Sequence, residues 1–148
     1  MLEERGMAQA DLMDVVTRFK GESEVGAVLF SVVGGRISEG IDFPDKELQL
    51  AVIIGVPYPK PTAKQRALMH YYERKLHKGW EMTVKAPTSR KMLQAIGRLI
   101  RTETDIGAAV ILDRRAKQFT DRIDLQLTDD PLSSVLEFFD QANAGKSS

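Results

Sequence analysis

The amino-acid sequence predicts an α/β domain built on a mainly parallel sheet with helices on both faces, a three-layer αβα arrangement. Three observations carry that expectation. Apolar runs short enough to be strands alternate with segments of helical periodicity. The runs are apolar along their length rather than at every second residue, and they lead into loops bearing Gly, Pro or Asp. Strands buried on both faces read as near-continuous apolar runs, whereas one-sided sheets alternate apolar with polar residues. A chain of 148 residues, 43% of them hydrophobic, can fill one core and is too short for two ordinary domains.

The elements follow in order. Leu12, Val15, Val16 and Phe19 recur at helical spacing, which predicts an amphipathic helix over 7–19. Val25 to Val33 reads as a buried strand stopped by Gly34-Gly35, and Leu50 to Val56 as a second stopped by Pro57 and Pro59. Thr62-Ala63-Lys64-Gln65 fits a capping box, in which the Thr62 hydroxyl accepts from the Gln65 amide and Gln65 reaches back. The helix it opens carries Leu68, Tyr71, Tyr72 and Leu76 on one face, and a further helix is expected over 89–101. Ile106 to Leu112 reads as a third strand. Asp130-Pro131 opens a last helix with Leu132, Val135, Leu136 and Phe139 on its apolar side. The domain is expected to span 1–143, with a frayed polar tail over 144–148.

Composition narrows the function classes. No apolar run approaches the roughly 20 residues that span a bilayer, and the charged start from Met1 to Arg5 lacks the apolar core of a signal peptide. Cysteine is absent, so the chain holds no disulfide and no thiolate metal site. Net charge is zero but unevenly spread. Lys60 to Arg101 holds eleven Lys or Arg against two acids, Glu73 and Glu81, leaving ten basic and nineteen acidic residues elsewhere. Such asymmetry suits a surface that meets a phosphate backbone; on charge alone, ordinary solvated helices explain it equally well.

In parallel sheets, ligand-binding loops follow the carboxyl ends of the strands. Here those are Gly34 to Phe43, Pro57 to Pro61 and Asp113 to Lys117. On the 89–101 helix, Met92, Leu93, Ile96, Leu99 and Ile100 fall on one side. Gln94, Arg98 and Arg101 fall on the other, flanked by Arg90 and Lys91 with no acid among them. Guanidinium groups match phosphate oxygens and stay charged when partly buried, so the row suits charge stabilisation in phosphoryl transfer. A solvated basic face is the plain alternative. In the first loop, glycines allow backbone amides close to phosphate, and Asp42 is placed to accept from a ribose hydroxyl. Tyr58 reads as a core aromatic in preference to a base-stacking one, and Trp80 as packing. His70 and His77, without acidic or Cys neighbours, read as surface residues.

Together the segments are specific. Ser38-Glu39-Gly40-Ile41-Asp42-Phe43 resembles motif V of the XPD-type, superfamily-two DNA helicases, and Gln94-Ala95-Ile96-Gly97-Arg98-Leu99-Ile100-Arg101 resembles motif VI. Gly55-Val56-Pro57-Tyr58-Pro59, Asp105-Ile106-Gly107 and Asp113-Arg114-Arg115 are similar to the family's intervening turn and closing strand, so the resemblance covers roughly 25–120. It implies the second of two RecA-like motor domains, with ATP and Mg²⁺ bound between them. The first domain supplies the phosphate loop and the magnesium acids. On this chain Arg98 and Arg101 would reach the γ-phosphate, with Arg101 as the arginine finger. Gln94 and Asp42 would lie on the nucleotide side, as would Gly97 unless it merely permits close helix packing. Arg36, Ser38, Glu39 and Gly40 would meet single-stranded DNA, largely through backbone amides. Movement would be 5′ to 3′, in the cytoplasm of a prokaryote or the nucleus of a eukaryote.

The sequence also departs from the family. It has no Gly-x-x-x-x-Gly-Lys-Ser/Thr loop, no Asp-Glu box and none of the four cysteines that hold an iron–sulfur cluster in the family. All three are expected on the first domain. The strand with motif IV that opens a second motor domain is also expected to be missing, which predicts a piece of a longer protein with an incomplete, exposed sheet edge. A chain so built is expected to hydrolyse no ATP alone. A stand-alone nucleic-acid-binding module is the competing reading. An RNA helicase half fits less well, because motif VI there begins His-Arg rather than Gln94-Ala95.

Overall fold

The computed structural model describes residues 1–4, 6–22, 26–41, 43, 47–100 and 105–144. The chain divides into two compact units, Met1–Ala51 with Gln94–Ala108, and Val52–Leu93 with Ala109–Ser148. Its elements run α1 (Gln9–Gly21), α2 (Arg36–Gly40), β1 (Leu50–Ile54), α3 (Ala63–Leu76), α4 (Ala86–Ile96), β2 (Ala108–Leu112) and α5 (Pro131–Ala144). β1 and β2 pair as a small parallel sheet, the Ala108 N–H donating to the Gln49 carbonyl at 2.9 Å.

In the first unit the core grows from the apolar stripe of α1. Leu12, Val16 and Phe19 are buried and pack with Ile37, Ile41 and Phe43; the Phe19 and Phe43 rings meet edge to face at 5.7 Å. Asp11 in the first turn and Arg18 and Lys20 in the last complement the helix dipole. The expected strand over 25–33 is reduced, within the described residues, to one parallel bridge between Leu2 and Phe30. Ala27 and Leu29 pack against the core while Val28, Phe30 and Val32 stay 57–64% exposed. β1 repeats this alternation, with Ile53 buried and Val52 and Ile54 exposed. β1 is apolar on both faces, as read, but among the described residues only one of its faces is covered, whereas in β2 Val110 and Ile111, on opposite faces, are both half-buried. Side chains alternate along a strand, so covering one face leaves every second residue in water.

In the second unit Met92, Thr88, Ser89, Val84, Phe119 and Ile123 are buried. α3 begins as expected, the Gln65 N–H donating to Thr62 Oγ1 at 3.1 Å. The other half of the capping box does not form: the Thr62 N–H donates to the Lys60 carbonyl at 2.9 Å, and the Gln65 side chain donates to the Thr83 carbonyl. The reason is Pro87, which has no N–H to give the carbonyl four residues back and whose ring clashes there. The chain meets this with a π-helical segment, Glu81–Lys85, running directly into α4, and Gln65 serves the orphaned oxygen. The helix thus starts about ten residues earlier than expected and ends at Ile96 rather than Arg101. α3 buries none of its residues; Leu68, Tyr71 and Leu76 are 39–56% exposed, and in α5 Leu132 and Leu136 are exposed too. At α5 the expected start holds, the Ser133 N–H donating to Asp130 Oδ1 at 3.1 Å.

Thr88 is fully buried, yet its hydroxyl has no hydrogen-bond partner. Thr88→Val keeps the shape and removes the unsatisfied group, so it is expected to raise stability by about 1 kcal/mol. Chemical denaturation would read this directly; a loss of stability instead would mean that the hydroxyl is bonded.

Candidate nucleotide and nucleic-acid site

The motif V segment turns on two glycines. Gly34 takes φ +84°, and a Cβ on Gly35 would lie 2.8 Å from the Val32 carbonyl oxygen, so side chains are strained at the first and blocked at the second. The segment was expected as a loop; it contains the single helical turn α2. Ser38 fastens that turn. Its hydroxyl accepts from the Gly34 N–H at 2.9 Å and lies 3.1 Å from the Val32 and Gly35 carbonyls, to one of which it donates. Gly40 is exposed at the end of α2. The Glu39 side chain and the whole of Asp42 lie outside the described residues.

The motif VI segment leaves the helix at Gly97. The Arg98 N–H donates to the Ala95 carbonyl at 3.3 Å and the Leu99 N–H to the Ile96 carbonyl at 3.0 Å, three-residue steps that tighten and end a helix. Leu99 is 2% exposed and anchors the turn, with Gly107 close against it. Arg98 therefore does not share a helical face with Gln94, contrary to expectation; Gln94 is exposed on the last turn of α4 and Gly97 exposed just beyond. Arg101 lies outside the described residues.

Arg98 makes the decisive link: its Nε donates to the Ser38 carbonyl at 3.2 Å across 60 residues of sequence. The two motifs meet within one unit through this half-buried guanidinium. A backbone carbonyl accepting from the guanidinium fixes the direction in which the arginine side chain lies. Arg36 is committed differently. Its Nη2 donates to the Met7 carbonyl at 2.7 Å and its Nη1 lies 3.4 Å from Gln9 Oε1, tying α2 to the start of α1. An open depression of about 650 Å³ lies alongside, lined by Gly34, Gly35, Arg36 and Gly40 opposite Gln9, Met13 and Lys20.

In the second unit the loops after β1 and β2 are clamped together. Asp113 accepts from the Val56 N–H at 3.0 Å, from the Arg115 N–H at 2.9 Å and from the Arg115 guanidinium at 2.6–3.1 Å. The Arg115 side chain first, its backbone N–H second and the Val56 N–H after them hold the Asp113 carboxyl well below the usual carboxylate range. Arg115 also lies over the Tyr58 ring, 5.4 Å from its centroid. The sequence marked Asp113 to Lys117 as a candidate ligand-binding loop and Asp113-Arg114-Arg115 as a closing segment, but not the clamp; a strand-end Asp followed two residues on by Arg was the available signal for it. Among the described residues no group of three or more His, Cys, Asp or Glu is placed to hold a metal, and no helix is long and apolar enough to cross a membrane.

A family profile described as the helicase C-terminal domain matches residues 1–129. The ATP-dependent DNA helicase chl-1 of Caenorhabditis elegans is 37% identical over 113 residues, 74% of this chain and 14% of its own length. A probable ATP-dependent helicase of Methanocaldococcus jannaschii is 33% identical over 129 residues, 81% of this chain and 19% of its own. The Fanconi anemia group J protein homolog of Gallus gallus is 32% identical over 124 residues, 76% and 10% of the two chains. The chain belongs to the helicase C-terminal domain family, the RecA-like domain of XPD-type, superfamily-two helicases. It spans less than a fifth of the length of each of these relatives.

Proposed function

We propose that this chain is the second motor domain of an ATP-dependent DNA helicase that moves 5′ to 3′. It forms one wall of the ATP cleft and part of the single-stranded DNA track. The observation that carries the reading is the hydrogen bond from Arg98 to the Ser38 carbonyl, which couples a guanidinium suited to the γ-phosphate to the backbone of the DNA-side motif. Arg98 and Arg101 stabilise the charge that spreads over the transferring phosphoryl group, Arg101 as the finger. Gln94, Gly97 and Asp42 serve the nucleotide side. Ser38, Glu39 and Gly40 meet the strand through backbone groups, and Arg36 assists while bracing α1. ATP and Mg²⁺ lie between this domain and the first motor domain of the same protein, which supplies the phosphate loop and the magnesium acids and carries the iron–sulfur cluster where there is one. The domain spans 1–143, followed by a short tail.

The reading is tested on the 148-residue chain itself. It is expected to show no ATP turnover above background, with or without DNA, and to bind oligothymidylate weakly, with affinity falling steeply as salt rises. Turnover that is abolished by Arg101→Ala would overturn the division of labour, and tight binding indifferent to salt would overturn the backbone-tracking surface.

A further inference from the structure

Trp80 was expected to pack, yet it is 50% exposed. Its position is nonetheless fixed from several sides. Just before it, Gly79 is buried against α3, where a Cβ would fall 2.6 Å from the Met69 carbonyl oxygen. The Gly79 N–H donates to Glu73 Oε2 at 2.8 Å, and its carbonyl accepts from Thr83 Oγ1 at 2.7 Å. Behind the indole stands Tyr58, ring centroids 6.1 Å apart, and behind Tyr58 the buried Phe119 at 6.2 Å. Arg115, held by Asp113, lies over Tyr58. A large aromatic surface is therefore braced on Tyr58, beyond the carboxyl end of β1, with half of it open to water.

The segments that carry these rings are rich in cations. Two acids of these segments are paired with cations, Glu81 with Arg122 and Asp113 with Arg115, while Glu73 accepts from the neutral Gly79 N–H and keeps its charge. Lys60, Lys78 and Arg114, each within two residues of Tyr58, Trp80 or Arg115, are exposed and have no acidic partner among the described residues. An open indole on segments that also carry exposed cations suits a ligand that is flat, aromatic and anionic. Single-stranded nucleic acid has that chemistry, because any unpaired base offers a π-face and its backbone a phosphate.

We propose that Trp80, backed by Tyr58, is a stacking platform for a base of single-stranded nucleic acid, with Lys60, Lys78 and Arg114 taking the flanking phosphates. This rests on the reading of the chain as part of a single-strand track and adds to it a contact outside motifs V and VI. Trp80 is the chain's one tryptophan, so emission excited selectively at the indole, beyond tyrosine absorption, reports this site alone. The 148-residue chain is titrated at low salt with oligothymidylate while two signals are followed: indole emission with its acrylamide accessibility, and the anisotropy of an end-labelled oligonucleotide. Emission is expected to fall in step with binding, with the bound indole shielded from acrylamide. Trp80→Ala is expected to weaken binding about tenfold, and Trp80→Phe to restore most of the loss. Binding seen by anisotropy with emission and shielding unchanged overturns the platform and leaves the single-strand reading standing. No anisotropy change at any concentration overturns both.

Discussion

In the intact two-motor protein, Arg101→Ala is expected to slow DNA-stimulated ATP hydrolysis on the order of 10³-fold or more. The argument is electrostatic. As the γ-phosphoryl group transfers, negative charge spreads over its oxygens, and a fixed guanidinium stabilises that state more than the ground state. Affinity for single-stranded DNA should change little, because the loss falls on the nucleotide side. Arg98→Ala is expected to differ in kind. It removes a cation and also the donor that holds the Ser38 carbonyl, so hydrolysis and DNA stimulation fall together. Steady-state ATPase with and without oligonucleotide separates the two. If Arg101→Ala left stimulated hydrolysis intact, the finger assignment would be wrong, and the basic segment would be better read as a DNA-contacting surface.

The second large effect concerns stability. Met92 is fully buried on α4, so Met92→Ala leaves a cavity in the second unit and is expected to cost about 2–5 kcal/mol. Its neighbour Leu93 is 45% exposed, so Leu93→Ala should cost clearly less. Denaturant unfolding of the two variants side by side tests the packing direction of this helix. Equal costs would show that the burial pattern of α4 is misassigned.

Much of the fold was legible because it is local. Leu12, Val16 and Phe19 form a stripe at helical spacing, and all three are buried in α1. The Thr62 hydroxyl cap, without the returning half of its capping box, and the Asp130-Pro131 start depend on residues within three or four positions and formed as read. What escaped depends on partners far along the chain. Pro87 signals trouble for a helix, but nothing near it says that Gln65, 18 residues before Thr83, will take up the orphaned carbonyl. Val25 to Val33 has the composition of a strand, but a strand needs a neighbour, and among the described residues it has only the bridge at Phe30. At the site, motifs V and VI could be read from residue order alone. That Arg98 leaves the helix and turns to the Ser38 carbonyl could not, because the helical wheel was carried past Gly97. Trp80 was misjudged for a simpler reason: hydrophobicity cannot tell a buried indole from one held open by a tyrosine behind it.

The π-helical segment before α4 also sets an angular phase. A π turn takes up about one more residue than an α turn, which offsets every later side chain by about 100° from an uninterrupted helix. With that offset Thr88, Ser89 and Met92 point inward and Gln94 outward. The inserted residue thus works as a gear tooth: the proline that demands it also decides which side of the helix faces the core and which faces solvent.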